Sequence, residues 1–127
     1  MEFELNETQQ LVRDSVRDYV DGSLMDAGAE LDRTGAFPHT QLAELAKLGM
    51  LGINVPEQHG GAEAGVVAYS LAMQEVARGC ASTAVTMAVT NMVAEVICQF
   101  GSEAQVKRYV SGICDGSMAP GSFALSE

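Results

Sequence analysis

Two histidines, three cysteines and two isolated glutamates are the residues of this chain that could carry a reaction. His39 follows Pro38 at the expected start of a helix, and His59 lies in a Gly-rich loop. Local sequence places no Ser or Cys beside either one to make an activated nucleophile. Neither HxxxH nor HExxH occurs, so no local histidine pair holds a metal. Surface or loop-packing roles are expected for both. Cys80, Cys98 and Cys114 are spaced 18 and 16 residues apart with no CxxC, which fits neither a disulfide framework nor a zinc site. They are expected as small buried hydrophobes in a reducing compartment. The glycines form neither GxGxxG nor GxxxxGK[ST], so those phosphate cradles are excluded. His59-Gly60-Gly61 could bring bare backbone close to a ligand, although a turn needing positive φ accounts for the same residues.

Glu75 and Glu95 sit in otherwise apolar helical stretches, where burial can raise a carboxyl pKa and create a base. Arg78 stands three residues after Glu75, so an ion pair is the simpler expectation. Glu95 has no local partner; it could face solvent at the end of the bundle or a ligand cavity, and solvent is expected. Met73, Met87 and Met92 suit core filling, and also suit the wall of a pocket for a flexible aliphatic chain, because thioethers adapt their shape. Thr90 and Asn91 are an odd polar pair in the same helix. Buried hydroxyls and amides need partners, and neighbouring backbone or a bound ligand would serve equally.

The elements that position these residues read as helices. Residues 6–31 begin with Asn6 as N-cap and Gln9 in the capping-box position. Val12, Val16, Tyr19 and Val20 form one apolar stripe, and Arg17 has helical spacing to Asp14 and Asp21. Gly22 and Gly28 weaken the second half and allow a break. Pro38 suits the first position of a second helix, whose apolar face is Leu42, Leu45, Ala46 and Leu48 and whose stop is Gly49. GMLGINVPEQHGG then predicts a short extended piece and a loop. Residues 65–79 predict a third helix, with Val66, Val67, Leu71, Ala72, Met73 and Val76 mostly inward. Residues 82–100 predict a fourth. Within it, positions 81–94 form a run of 14 uncharged residues. That run is too short and too polar for a bilayer core of about 30 Å, and is expected at the centre of a bundle. Ser102 and Gln105 form a second capping box for a fifth helix, lined by Val106, Tyr109, Val110 and Ile113. Helical periodicity fades near Ile113, and SMAPGSFALSE reads as the start of a strand. The fold class is therefore all-α, a bundle of about five helices.

The totals bound what such a bundle does. One domain fits 127 residues, and a net charge of −10 opposes nucleic-acid binding and docking on an anionic membrane. Residues 1–32 hold nine acids and two bases, which reads as a solvated face or a docking face. The opening MEFELNETQQ is too polar for a signal peptide, so a cytoplasmic location is expected.

Several segments in order carry a resemblance: LAKLGMLGINVPEQHGG, YSLAMQEVARGCASTAVTM, FGSEAQVKRYVSGICDG and FALSE. Together they resemble the N-terminal helical domain of the flavin-dependent acyl-CoA dehydrogenases. The resemblance implies that residues 1–116 are that domain. It implies that 117–127 start an FAD-binding β-domain, whose remainder, with the catalytic glutamate, lies beyond these residues. The activity implied is α,β-dehydrogenation of an acyl-CoA to a trans-2-enoyl-CoA, with no catalytic residue in this chain. Phe123, Leu125 and Ser126 match flavin-contacting positions, Ser126 replacing the family's Thr. Met87, Thr90 and Asn91 lie on the helix that lines the family's acyl pocket. The implied partners are acyl-CoA, an electron-transfer flavoprotein, the enzyme's remaining domains and further copies in a dimer or tetramer. Acyl-CoA oxidases, nitroalkane oxidases and flavin monooxygenases share this domain, and a free-standing interaction module is the rival of a different class.

Overall fold

A computed structural model of the chain describes residues 3–126. Its first element is a single long helical run in three parts: α1 (Glu7–Tyr19), a π-helical turn (Val20–Leu24) and α2 (Met25–Thr34). The expected capping box opens it. Asn6 Oδ1 accepts the Gln9 N–H at 2.9 Å, and Gln9 Oε1 accepts the Asn6 N–H at 3.0 Å. The run does not break at its glycines. Val12, Val16, Val20, Leu24 and Gly28, four residues apart throughout, are all buried. On a regular α-helix that spacing drifts by about 40° per step. A wide π turn at its middle holds the stripe on one side of the helix. Gly28 then passes the end of the helix formed by residues 65–79 so closely that a Cβ on it would lie 2.3 Å from the Gly79 carbonyl oxygen.

α3 (His39–Lys47) follows, with Pro38 as its cap residue, one position earlier than expected. Leu42, Leu45 and Ala46 are buried, while Leu48 faces outward. The GMLGINVPEQHGG segment holds turns and one 3₁₀ turn (Glu57–His59) in place of the expected extended piece, and no strand occurs among the described residues. Its Met50, Leu51, Ile53 and Val55 are nonetheless core residues.

α4 (Gly65–Gly79) packs along α1, and α5 (Ala81–Phe100) packs against α4 and against α6 (Glu103–Cys114). Ser102 and Gln105 form the second capping box as expected. The larger apolar core joins the first helical run, α3, α4 and the N-terminal half of α5. A smaller one joins Val55, the C-terminal half of α5 and α6.

Three expectations about faces are corrected. Val66 and Val67 point outward, because α4 buries Ala68, Ala72, Glu75 and Val76 on α1 and α5. Helix α5 is not enclosed: Val85, Met92, Val96 and Phe100 are exposed, because its neighbours cover one side only. It is also longer than its uncharged run suggested, at 20 residues, and its mean hydropathy reaches 1.4. That is enough to cross a membrane by length and composition. Within this bundle its covered side instead holds Thr83, Thr90 and Asn91. Arg17, finally, leaves Asp14 and Asp21 and reaches across to Glu75.

Candidate functional site: the open face of helix α5 and the segment beside it

Helix α5 carries two stripes. The covered stripe includes Met87, Thr90 and Asn91, each fully buried. Asn91 is fully engaged: Oδ1 accepts the Ile53 N–H at 2.8 Å, and Nδ2 donates to the Met50 carbonyl at 2.8 Å and the Met87 carbonyl at 2.9 Å. The amide therefore fixes the GMLGINV loop to α5. Thr90 Oγ1 donates to the Thr86 carbonyl at 2.8 Å and accepts the Gly121 N–H at 3.2 Å. Met87 fills the larger core. Of the two partners open to Thr90 and Asn91, backbone is the one found.

The open stripe is Val85, Ala88, Val89, Met92 and Val96, spaced by three and four residues. Its Ala88, Val89, Met92 and Val96, with Val66 and Tyr69 of α4, line a groove of 490 Å³ that Glu95 also lines, while Val85 lies outside it. Sequence reading missed this stripe because the helix is apolar on both sides, so periodicity could not say which side the bundle would take. The signal was present in the 85-88-89-92-96 spacing itself. Glu95 finds its partner far away in sequence, accepting from Asn54 Nδ2 at 3.1 Å.

Glu75 does not have the environment of a base. Arg17 donates to Oε1 from Nε and Nη2 at 3.0 and 2.6 Å, and Arg78 Nε donates to Oε2 at 3.1 Å. The Arg17 guanidinium, against the opposing effect of burial and with help from Arg78, holds the carboxyl below its ordinary 4.5. Arg78 also donates to Asp21 at 2.7 Å, so the network ties α4 to the π turn.

A second cleft, of 680 Å³, lies between the 58–60 turn and α6 and gathers His59, Cys98, Glu103, Lys107 and Ser111. No group of three or more potential metal ligands occurs among the described residues. His39 is exposed, its ring 4.6 Å from that of Phe37. All three cysteines are free, and burial pushes the Cys114 thiol up to about 11.

After α6 the chain turns back along α5. The Met118 N–H donates to the Gly112 carbonyl at 2.7 Å, and the Ser117 N–H to Asp115 at 2.8 Å. Residues 119–126 carry no regular secondary structure. The expected strand is therefore absent from the described residues; a strand requires a ladder partner, and none is near. Glu127, the last residue of that expectation, lies outside them. Phe123 and Leu125 are 55% and 79% exposed, and Ser126 is exposed as well. Their backbone groups have no hydrogen bond among the described residues. An exposed aromatic ring, unpaired N–H and C=O groups and two serine hydroxyls suit a ligand with flat apolar faces and a polar edge. A flavin ring has that chemistry, so these residues fit the group that the resemblance implies.

The sequence matches the N-terminal domain family of acyl-CoA dehydrogenases over residues 6–117. The chain belongs to that family. The rat mitochondrial short-chain specific acyl-CoA dehydrogenase is 40% identical over 125 residues, 98% of this chain and 30% of its own length. Butyryl-CoA dehydrogenase from Megasphaera elsdenii superposes with a TM-score of 0.84 at 30% identity, covering 92% of this chain and 32% of that one. A chain from a study of the electron-transferring flavoprotein of Acidaminococcus fermentans superposes with a TM-score of 0.87 at 28% identity, covering 92% of this chain and 31% of its own. This acyl-CoA dehydrogenase domain thus spans about a third of the length of the proteins it matches.

Proposed function

We propose that these residues form the N-terminal helical part of an FAD-dependent acyl-CoA dehydrogenase, which converts an acyl-CoA to its trans-2-enoyl-CoA. The match over residues 6–117 carries this reading. The flavin, when bound, supplies the acceptor for the substrate's β-hydride. This chain's own residues bind and exclude. The open α5 stripe presents aliphatic and thioether surface that keeps water from an acyl chain or from the neighbouring part of the enzyme. The segment 122–126 offers backbone groups and Ser126 to the polar edge of the ring, and Phe123 to its flank.

The base that removes the α-proton belongs, on this reading, to sequence beyond these residues. Glu75 is held ionised by two arginines, and Glu95 is engaged by Asn54. A short acyl chain is favoured by relatives named for short-chain and butyryl substrates. An electron-transfer flavoprotein is the proposed electron acceptor, supported by the neighbour from Acidaminococcus fermentans. Homo-oligomerisation and a cytoplasmic location complete the proposal; three free thiols suit a reducing compartment.

The test is turnover by the full-length protein across a series of acyl-CoA lengths, with electron-transfer flavoprotein or a dye as acceptor. Flavin-dependent enoyl-CoA formation, greatest for short chains, supports the reading. A flavin-containing protein that reduces oxygen directly or oxidises nitroalkanes would move it to another branch of the superfamily.

A further inference from the structure

We infer that Thr90 is a positioning residue for the flavin: its hydroxyl sets the direction in which the chain leaves the helical bundle towards Phe123, Leu125 and Ser126. The inference rests on the FAD-enzyme reading above and assigns to that reading a buried group on α5. Thr90 is fully buried, and its hydroxyl is used twice. It donates to the Thr86 carbonyl at 2.8 Å, which aims the oxygen's lone pairs away from the helix axis, and it accepts the Gly121 N–H at 3.2 Å.

The backbone at Gly121 lies directly on the helix. A Cβ there would meet Val93 Cβ at 2.9 Å and Thr90 Cα at 3.2 Å, so only a glycine reaches the hydroxyl without a shift. Upstream, Met118 and Ser117 are held to the Gly112 carbonyl at 2.7 and 3.3 Å. Downstream, residues 122–126 have no hydrogen bond among the described residues. The Thr90–Gly121 bond is therefore the final anchor before the flavin-facing segment.

A fully extended chain advances about 3.3 Å per residue, so Ser126 reaches at most about 16 Å beyond that anchor. A tilt of about 10° at Gly121 would move Ser126 by about 3 Å over that lever, where a misplacement of about 1 Å can cost 100-fold in rate.

The experiment compares full-length wild type with Thr90→Val, Thr90→Ser and Gly121→Ala. It reads FAD dissociation constant, visible circular dichroism of the bound flavin and flavin midpoint potential, with thermal melting alongside. Thr90→Val keeps the shape and removes the acceptor; its FAD affinity is expected to fall at least about tenfold, with an altered flavin dichroism. Thr90→Ser keeps the oxygen and is expected within about twofold of wild type, with the wild-type spectrum. Gly121→Ala lifts the segment with Thr90 in place and is expected to reproduce the flavin defect; it stands in if Thr90→Val does not fold. Wild-type affinity, dichroism and potential in Thr90→Val or, in its place, Gly121→Ala would overturn the inference, even if melting shifts. A full-length wild type that binds no FAD would instead overturn the enzyme reading.

Discussion

Asn91 and Glu75 show how polar groups are built into this bundle without becoming reactive. Asn91 satisfies two carbonyls and one N–H of different segments from inside the core. Asn91→Ala strands all three, and leaving buried polar groups unpaired costs about 1–3 kcal/mol apiece, less where they relax. We expect a loss of about 3 kcal/mol, measured by urea unfolding; a loss below about 0.5 kcal/mol would mean that the loop has no need of α5. Glu75 makes a pH prediction. Its folded pKa lies below the ordinary 4.5. Its contribution to stability is therefore complete above the unfolded value and disappears as pH falls from there through the lower folded value. Glu75→Gln should be less stable than wild type at neutral pH, and the gap should narrow below pH 4.5. A gap that widens with acid would reverse the sign argued here.

Helix α5 is the element whose two sides differ most, one built into the bundle and one left open. Its covered side is committed to the bundle, and its open side is exposed at Val85, Met92 and Val96. Val85→Lys with Val96→Lys should change the stability of the 127-residue chain by less than about 0.5 kcal/mol each, as surface substitutions do. In the full-length enzyme the same pair should abolish activity or assembly. A large loss of stability in the isolated chain would show that this side is needed for its own fold. Sequence made the helices legible because Asn6, Gln9, Ser102 and Gln105 state their starts chemically and Gly49 lies just past the end of α3, whereas the first run continues past the expected residue 31 to Thr34. The buried face of α1 was legible because its other faces are charged. That of α5 was not, since valines and methionines circle it. The long-range pairs Arg17–Glu75 and Thr90–Gly121 were hidden as well, because sequence spacing reports only neighbours three or four residues apart. Resemblance put Met87, Thr90 and Asn91 at an acyl pocket. Only packing showed that they face the bundle and that Val85, Ala88, Val89, Met92 and Val96 face away.

At the scale of the whole molecule, an apolar groove and a segment with no hydrogen bond among the described residues are both left exposed. Large apolar side chains left in water forgo about 1.5–3 kcal/mol each relative to full burial. The isolated 127 residues should therefore self-associate or bind an apolar dye, and sedimentation as a compact, dye-negative monomer would contradict that. The central claim is that this domain is a wall and a mount, with proton abstraction and most of the cofactor's grip supplied by the rest of the enzyme. It is tested most directly by giving the purified chain excess FAD, butyryl-CoA and a dye acceptor, then measuring enoyl-CoA formation and flavin retained after gel filtration. The account predicts no turnover and far less than stoichiometric flavin. Dye reduction coupled to enoyl-CoA formation by these residues alone would contradict it.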